Sequence, residues 1–461
     1  MQNKLIVSIT FLFFILLTIF SLQIPFFWDG TFFSESAVQF FENGYNNCIV
    51  PKQVDTGGFP LYSIYLSIVW KIFSKSLLVS HLALLPFLLG ITFEYYKLAK
   101  RFLNQKTVLF AMIFLLAEPT LITQSILMGY DLIMIYFFLL SLNFVLSKKY
   151  NMYSLALTLL CLSSVRGCIL GVSLLSIDVI INHSLFKKIK INFFSYLFPS
   201  LIIIIWTIYH YQKTGWFFIS PERENTHESM VSIGMMFRQF LFISWKITDF
   251  GRIVLWVLLI SGIIYFYKKQ MATELKTLLR IVFIPLITLS IFMIPLSNPI
   301  GHKYFIVVFL CLNIGGCYLI QQMQNKILRN GAFSICCLVL FTGSFWLYPE
   351  RLGNGWDSSL KVLPYFHLKD EMDEFIKNKK IDTKQIGTQY PLIADKKYSH
   401  LSDTSYFYPN VWIGPISDYH YFLFTNVINS DISNQVEEVK TNWKLIKSLK
   451  SGEVYINLYK H

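Results

Sequence analysis

Eleven apolar runs divide this chain, at 5–27, 77–98, 107–123, 130–147, 152–165, 167–183, 193–211, 250–267, 277–296, 303–321 and 331–348. Each is long enough, or nearly so, to cross about 30 Å of hydrocarbon as a helix. In hydrocarbon a backbone must satisfy its own hydrogen bonds, and a single segment does so only as helix. The runs therefore predict a polytopic α-helical membrane protein of about 11 transmembrane helices. Only Arg166-Gly167 separates the fifth run from the sixth, so these two also read as one long broken helix. The first run is too long for a signal-peptide core and lacks a small-residue cleavage site, which predicts a retained span. A large soluble enzyme is excluded: with 54% hydrophobic residues, 15% charged and 43 Phe, it would expose apolar surface and aggregate.

A net charge of +13 in a soluble protein would suggest nucleic acid. Here the basic residues lie in the short gaps: Lys97, Lys100, Arg101 and Lys106; Lys148 and Lys149; Lys187, Lys188 and Lys190; Lys268, Lys269 and Lys276; Lys326 and Arg329. With eleven crossings they all share one side with Lys4, and by the positive-inside rule that side is the cytoplasm. Nucleic acid is excluded and the bilayer is the partner. The predicted topology is N-terminus cytoplasmic and C-terminus extracytoplasmic, as in a bacterial inner membrane. The long connections 28–76 and 212–249 and the tail from 349 then lie outside. Six of seven cysteines lie in apolar runs and only Cys48 in a polar loop, so neither a disulfide framework nor a CxxC zinc pattern is present.

From Pro349 the chain turns polar. Residues 370–376 have a helix-like register, and alternating runs at 385–388, 421–424 and 453–458 read as strands. Two domains follow: a transmembrane domain over 1–348, with its first extracytoplasmic loop at 28–76, and a small extracytoplasmic soluble α/β domain over 349–461.

The first run empties into a carboxylate, Phe26-Phe27-Trp28-Asp29-Gly30. An acid at the edge of hydrocarbon carries a desolvation cost and calls for a reason. Residues 31–43 place Phe32, Phe33, Ala37, Phe40 and Phe41 on one helical face, with Ser34, Glu35, Gln39 and Glu42 mostly off it. That is the pattern of a helix lying in the membrane interface. A second such segment covers 61–73 after the turn Gly57-Gly58-Phe59-Pro60-Leu61-Tyr62. The two make a shelf with Asp29 at its inner edge.

This layout resembles the GT-C class of integral-membrane glycosyltransferases, and most of all the branch with protein O-mannosyltransferases and the lipid A aminoarabinose transferase. The acidic motif after the first span corresponds to Asp29, the Pro-Leu-Tyr motif to Gly58-Phe59-Pro60-Leu61-Tyr62, and the following Phe-rich segment to Trp70-Lys71-Ile72-Phe73-Ser74. Gly129-Tyr130-Asp131 and Pro299-Ile300-Gly301-His302-Lys303-Tyr304 match later landmarks, so the resemblance covers about the first 350 residues. Two departures stand out. The usual Asp-Glu pair is Asp29-Gly30, and the basic residue before the Pro motif is replaced by Gly57-Gly58. The resemblance implies transfer of a sugar, with inversion, from a polyprenyl-phosphate donor to an extracytoplasmic acceptor.

A hydroxyl acceptor needs a base to take its proton, and Asp29 is the candidate, with helix capping as its structural alternative. The leaving lipid phosphate needs cations. Lys303, His302 and Arg166 are the donor-phosphate candidates, ahead of Arg223 and Arg238; interfacial snorkelling is the alternative for the first two, and pairing with Asp131 or Glu118 for Arg166. Glu35, Asp131, Pro60, Tyr62 and Tyr304 are candidate substrate-binding residues, although Asp131 at a helix start also suits the helix dipole. The charged stretch 221–228 is either a lid or a solvated face, and His183 and His210 read as structural. No His, Cys or Asp set has metal-ligand spacing, so no cofactor is called for, although the scattered carboxylates leave a divalent cation possible. An O-antigen-type polymerase or ligase is the rival enzyme. A lipid or solute transporter is the rival of another class, but neither repeated halves nor a series of broken helices is present.

Overall fold

The computed structural model describes residues 2–52, 54–182, 189–217, 220–221, 229–267, 271–348, 355–411, 416–428 and 434–461. His183, Lys187, Lys188, Lys268, Lys269 and residues 222–228 with Arg223 lie outside the described residues.

Every apolar run folds as helix. The order is α1 (Gln2–Ser21), α2 (Asp29–Asn43), α3 (Leu61–Ile72), α4 (Leu77–Phe102), α5 (Gln105–Ala117), α6 (Pro119–Ile126), α7 (Asp131–Leu146), α8 (Tyr150–Ser163), α9 (Val165–Asn182) and α10 (Ile189–Thr214). There follow α11 (Ile233–Thr248), α12 (Ile253–Tyr267), α13 (Thr273–Met293), α14 (Ile306–Gln321) and α15 (Lys326–Gly343). Among the described residues five helices are long and apolar enough to span a membrane, or seven if two bent pairs each count as one. The count falls short of eleven because helices such as α7 and α8, at 16 and 14 residues, are short and because one run is bent. Pro119 lacks an N–H and pushes Glu118 out of the helical region, so the 107–123 run bends by 52° between α5 and α6. The fifth and sixth runs part at Ser164, which is fully extended, rather than at Arg166-Gly167. Gly167 instead lets α9 approach the Leu160 carbonyl, which a Cβ would strike. The long 212–249 connection holds a helix that was not foreseen, α11, capped by the Ser232 hydroxyl and set at 95° to α12.

Helix α14 is buried on all sides from Ile306 to Ile320, as a sequence apolar save for Asn313 dictates, and α4, α5, α7, α12, α13 and α15 pack around it. At the end of α15, Gly343 touches the Phe250 carbonyl so closely that a Cβ would overlap it. Gly343→Ala is expected to cost about 1–3 kcal/mol as an overpacked contact, read as a lowered thermal unfolding midpoint in detergent.

In the tail, α16 (Pro364–Asn378), the short α17 (Lys396–Ser399) and α18 (Asn434–Asn442) accompany a four-stranded sheet. Strands β1 (Ile386–Thr388), β2 (Tyr421–Thr425), β3 (Lys444–Ser451) and β4 (Val454–Lys460) lie in the order β1-β2-β4-β3, with β1 parallel to β2 and the other pairs antiparallel. The three expected strands are present. β3 escaped notice because it is a Lys-rich edge strand whose side chains are mostly exposed, the usual guard against edge pairing.

One apolar core runs from Phe27 and Leu127 through Trp356, Val362 and Tyr365 to Ile376, Leu423 and Ile456, so the tail is welded to the helical layer. This alters the reading of α2. Its polar face is partly covered by α17: the Ser34 hydroxyl donates to the Tyr398 carbonyl at 2.6 Å, and Lys397 pairs with the exposed Glu42 at 3.0 Å.

Within the tail, Lys369 and Lys396 hold the buried Asp373 carboxylate at 2.6 and 2.8 Å, and the Tyr408 hydroxyl donates to it at 2.6 Å. Burial pushes Asp373 up, but the two ammonium groups outweigh it and hold the acid below its ordinary value. A depressed acid stabilises the fold above its unfolded value, about 3.9, and loses that contribution as pH falls through the lower folded value. Acid unfolding of the tail is therefore expected to steepen below about pH 4, and Asp373→Asn to flatten it, as read by intrinsic fluorescence.

Candidate active site

The starts of α2, α7, α9 and α14 and the end of α6 meet the tail, bringing Asp29, Asp131, Arg166, Lys303 and Gln124 together. Asp29 is the first residue of α2; the cap position is taken by Trp28, whose backbone stands at φ 49, a conformation a bulky residue rarely adopts. The Asp29 carboxylate reaches Lys303, with Nζ 2.8 Å from Oδ2. Lys303 is buried in the 3₁₀ turn His302–Phe305 ahead of α14, and its Nζ also lies 3.5 Å from Oδ2 of Asp357. Asp357 comes from the tail, in the turn Trp356–Ser358, and its carbonyl accepts from the Gln124 amide at 2.7 Å. A small cleft opens here, with room for about 10 Å³ of water, lined by Phe27, Trp28, Gln124, Tyr130, Lys303 and Asp357 among others.

A second ion pair stands beside the first. Asp131, fully buried at the start of α7, lies 2.9 Å from Arg166 near the start of α9. The Arg166 guanidinium donates to the Tyr130 hydroxyl and lies over the Tyr304 ring, 4.1 Å from its centroid. Phe33 of α2 stacks on Tyr130 at 3.9 Å, and Tyr62 packs behind Phe33 at 6.1 Å.

Several expectations change. His302 does not join Lys303: its Nε2 bonds Asp249 Oδ2 at 2.8 Å, while the Tyr348 hydroxyl donates to the other oxygen of that carboxylate. Neighbouring side chains in a 3₁₀ turn stand about 120° apart, so the two cannot face one ligand. Glu118 pairs with Arg252, not Arg166. Glu35 is half-buried toward the tail, where burial and then Asp395 raise its carboxyl above the ordinary value. Six residues from Asp29 on one helix, it faces elsewhere. Pro60 caps α3 rather than lining the cleft, and His210 bonds Asp55 at 2.9 Å while Asp55 accepts from the Gly57 N–H, which pins the Gly-Gly turn. Arg238 lies on α11 over Phe242, apart from the site. Among the described residues no three His, Cys, Asp or Glu come together as a metal-binding set. A divalent cation between Asp29 and Asp357 would have to displace Lys303. Asp357, Gln124, Tyr130, Phe33 and Asp249 were not foreseen. Of these only Tyr130, beside Asp131, had a local signal.

The helical layer and the α/β tail welded to it make up one fold. Two crystal structures share it: ArnT from Cupriavidus metallidurans bound to undecaprenyl phosphate (TM-score 0.58, 11% identity) and the same protein in the apo state (TM-score 0.56, 12% identity). Each comparison covers 99% of this chain and 97% of the other. No family model and no curated protein matches the chain.

Proposed function

We propose that the chain is an inverting membrane glycosyltransferase that moves a sugar from a polyprenyl-phosphate donor to an extracytoplasmic acceptor. In this reading the chain crosses the inner membrane eleven times, with the N-terminus cytoplasmic and the tail outside. The observation that carries it is the pair of ion pairs Asp29–Lys303 and Asp131–Arg166, whose cations both lie against the Tyr304 ring beside the cleft, in a fold shared with a protein crystallised with undecaprenyl phosphate. Asp29 takes the proton of the acceptor hydroxyl as that oxygen attacks the anomeric carbon. The carbon–oxygen bond to the phosphate breaks, and its electron pair stays on the lipid phosphate. Lys303 and Arg166 stabilise the charge that develops there. Lys303 now sits on the oxygen the base would use, so the incoming phosphate has to draw it off before Asp29 can act. His302 holds the turn that carries Lys303 through Asp249. Asp131 orients Arg166, and Tyr304 and Tyr62 shape the wall.

Binding of undecaprenyl phosphate to purified protein in detergent tests this assignment. Lys303→Met is expected to weaken it at least about tenfold, the value of one lost charge-assisted contact. Equal affinity in wild type and variant would remove Lys303 from the donor site and favour the transporter reading.

A further inference from the structure

The cleft carries an imbalance of charge that the proposed chemistry does not need. Lys303 faces two carboxylates, Asp29 at 2.8 Å and Asp357 at 3.5 Å, and Arg166 is matched by Asp131. Lys246 interacts electrostatically with both Asp249 and Asp357 and is the third cation of the group. Among the described residues, the carboxylates Asp29, Asp131, Asp249 and Asp357 face the cations Lys303, Arg166 and Lys246, an excess of one negative charge in the proposed anion site. Asp29 has a role as base. Asp357 has none in the transfer, yet it is buried at 4% exposure and lines the same cleft wall as Lys303. Its backbone is tied by Gln124 from the helical layer, and Trp356 beside it is fully buried, so its position is held rather than incidental.

A phosphate that bonds Lys303 in this cleft must lie against Asp357. The two lipid phosphates of the reaction differ in charge: the sugar-bearing donor is a phosphodiester with one negative charge, whereas the released lipid monoester carries close to two at neutral pH. A fixed carboxylate opposes the second about twice as strongly as the first. Resting on the glycosyltransferase reading, we infer that Asp357 is a specificity-determining residue of the donor site, which disfavours the doubly charged lipid phosphate product relative to the singly charged donor and so promotes product release. The tail is thereby part of the donor site, not an appendage to it.

Two probes test this in detergent at pH 8: undecaprenyl phosphate, and undecaprenyl methyl phosphate as an unreactive diester. Asp357→Asn is expected to tighten the diester on the order of tenfold and the monoester on the order of a hundredfold, the difference following the charge. Asp357→Ser serves the same purpose if the asparagine variant fails to fold, as judged by its thermal unfolding. Unchanged affinities, or equal tightening of both lipids, with binding still lost in Lys303→Met would overturn the role of Asp357 and leave the donor site standing. Binding unaffected by Lys303→Met as well would overturn the donor site itself, and this inference with it.

Discussion

Replacing Asp29 by asparagine is expected to lower transfer by about 10²–10⁴-fold while the protein still binds undecaprenyl phosphate, the range a lost general base commands. The substitution keeps the shape of the side chain and removes only its ability to accept a proton. Lys303, relieved of its partner at 2.8 Å, keeps Asp357 at 3.5 Å and stays in the cleft, so donor binding is retained or strengthened. Turnover lost together with lipid binding would point instead to a structural role in holding Lys303. Turnover unchanged would pass the role of base to Asp131, whose carboxylate is engaged by Arg166.

The largest expected effect on stability lies away from the cleft. Arg252 and Glu118 are both fully buried, paired through two guanidinium nitrogens, and Arg252 also donates to Thr120 at 2.6 Å and lies 3.7 Å from the Phe309 ring centroid. This pair joins the break between α5 and α6 to the start of α12. Arg252→Met strips the cation and strands the Glu118 carboxylate, which is expected to cost about 3–5 kcal/mol, because an uncompensated buried charge is the dominant penalty. Glu118→Gln combined with Arg252→Met removes both charges and is expected to recover most of that loss. Thermal unfolding of the three variants in detergent reads both effects. A double variant no more stable than Arg252→Met alone would show that the geometry of the pair, rather than its charge, holds the helices.

What could be read from the chain beforehand follows from how local each signal is. Apolar runs and their breaks are local, so every run is a helix, and Pro119 announces its own bend. Span counts are less legible because α7 and α12 are shorter than the runs that encode them, and α11 lies in a long connection between runs. In the site, Asp29, Arg166, Asp131, Lys303 and Tyr304 were legible as polar residues at the edges of apolar runs, where burial demands a reason. Their partners were not. Asp357 follows the last apolar run in a polar stretch where an Asp has nothing to mark it, and only the weld through Trp356 brings it to Lys303. His302 and Lys303 diverge by about 100–120° on either kind of helix, but which distant partner each finds, Asp249 or Asp29, is a choice the sequence does not display. Ser34 looked solvated because its partner, the Tyr398 carbonyl, lies more than 350 residues away in the chain.

Turnover by the wild-type protein is the most direct test of the central claim. Purified protein in detergent would be offered a panel of radiolabelled undecaprenyl-phosphate sugars, with release of undecaprenyl phosphate and label on acceptor or water both scored. Consumption of one donor, with release of the lipid phosphate, is the predicted result. A folded protein that neither binds nor consumes any member of the panel would contradict the glycosyltransferase reading and return the chain to the transporters.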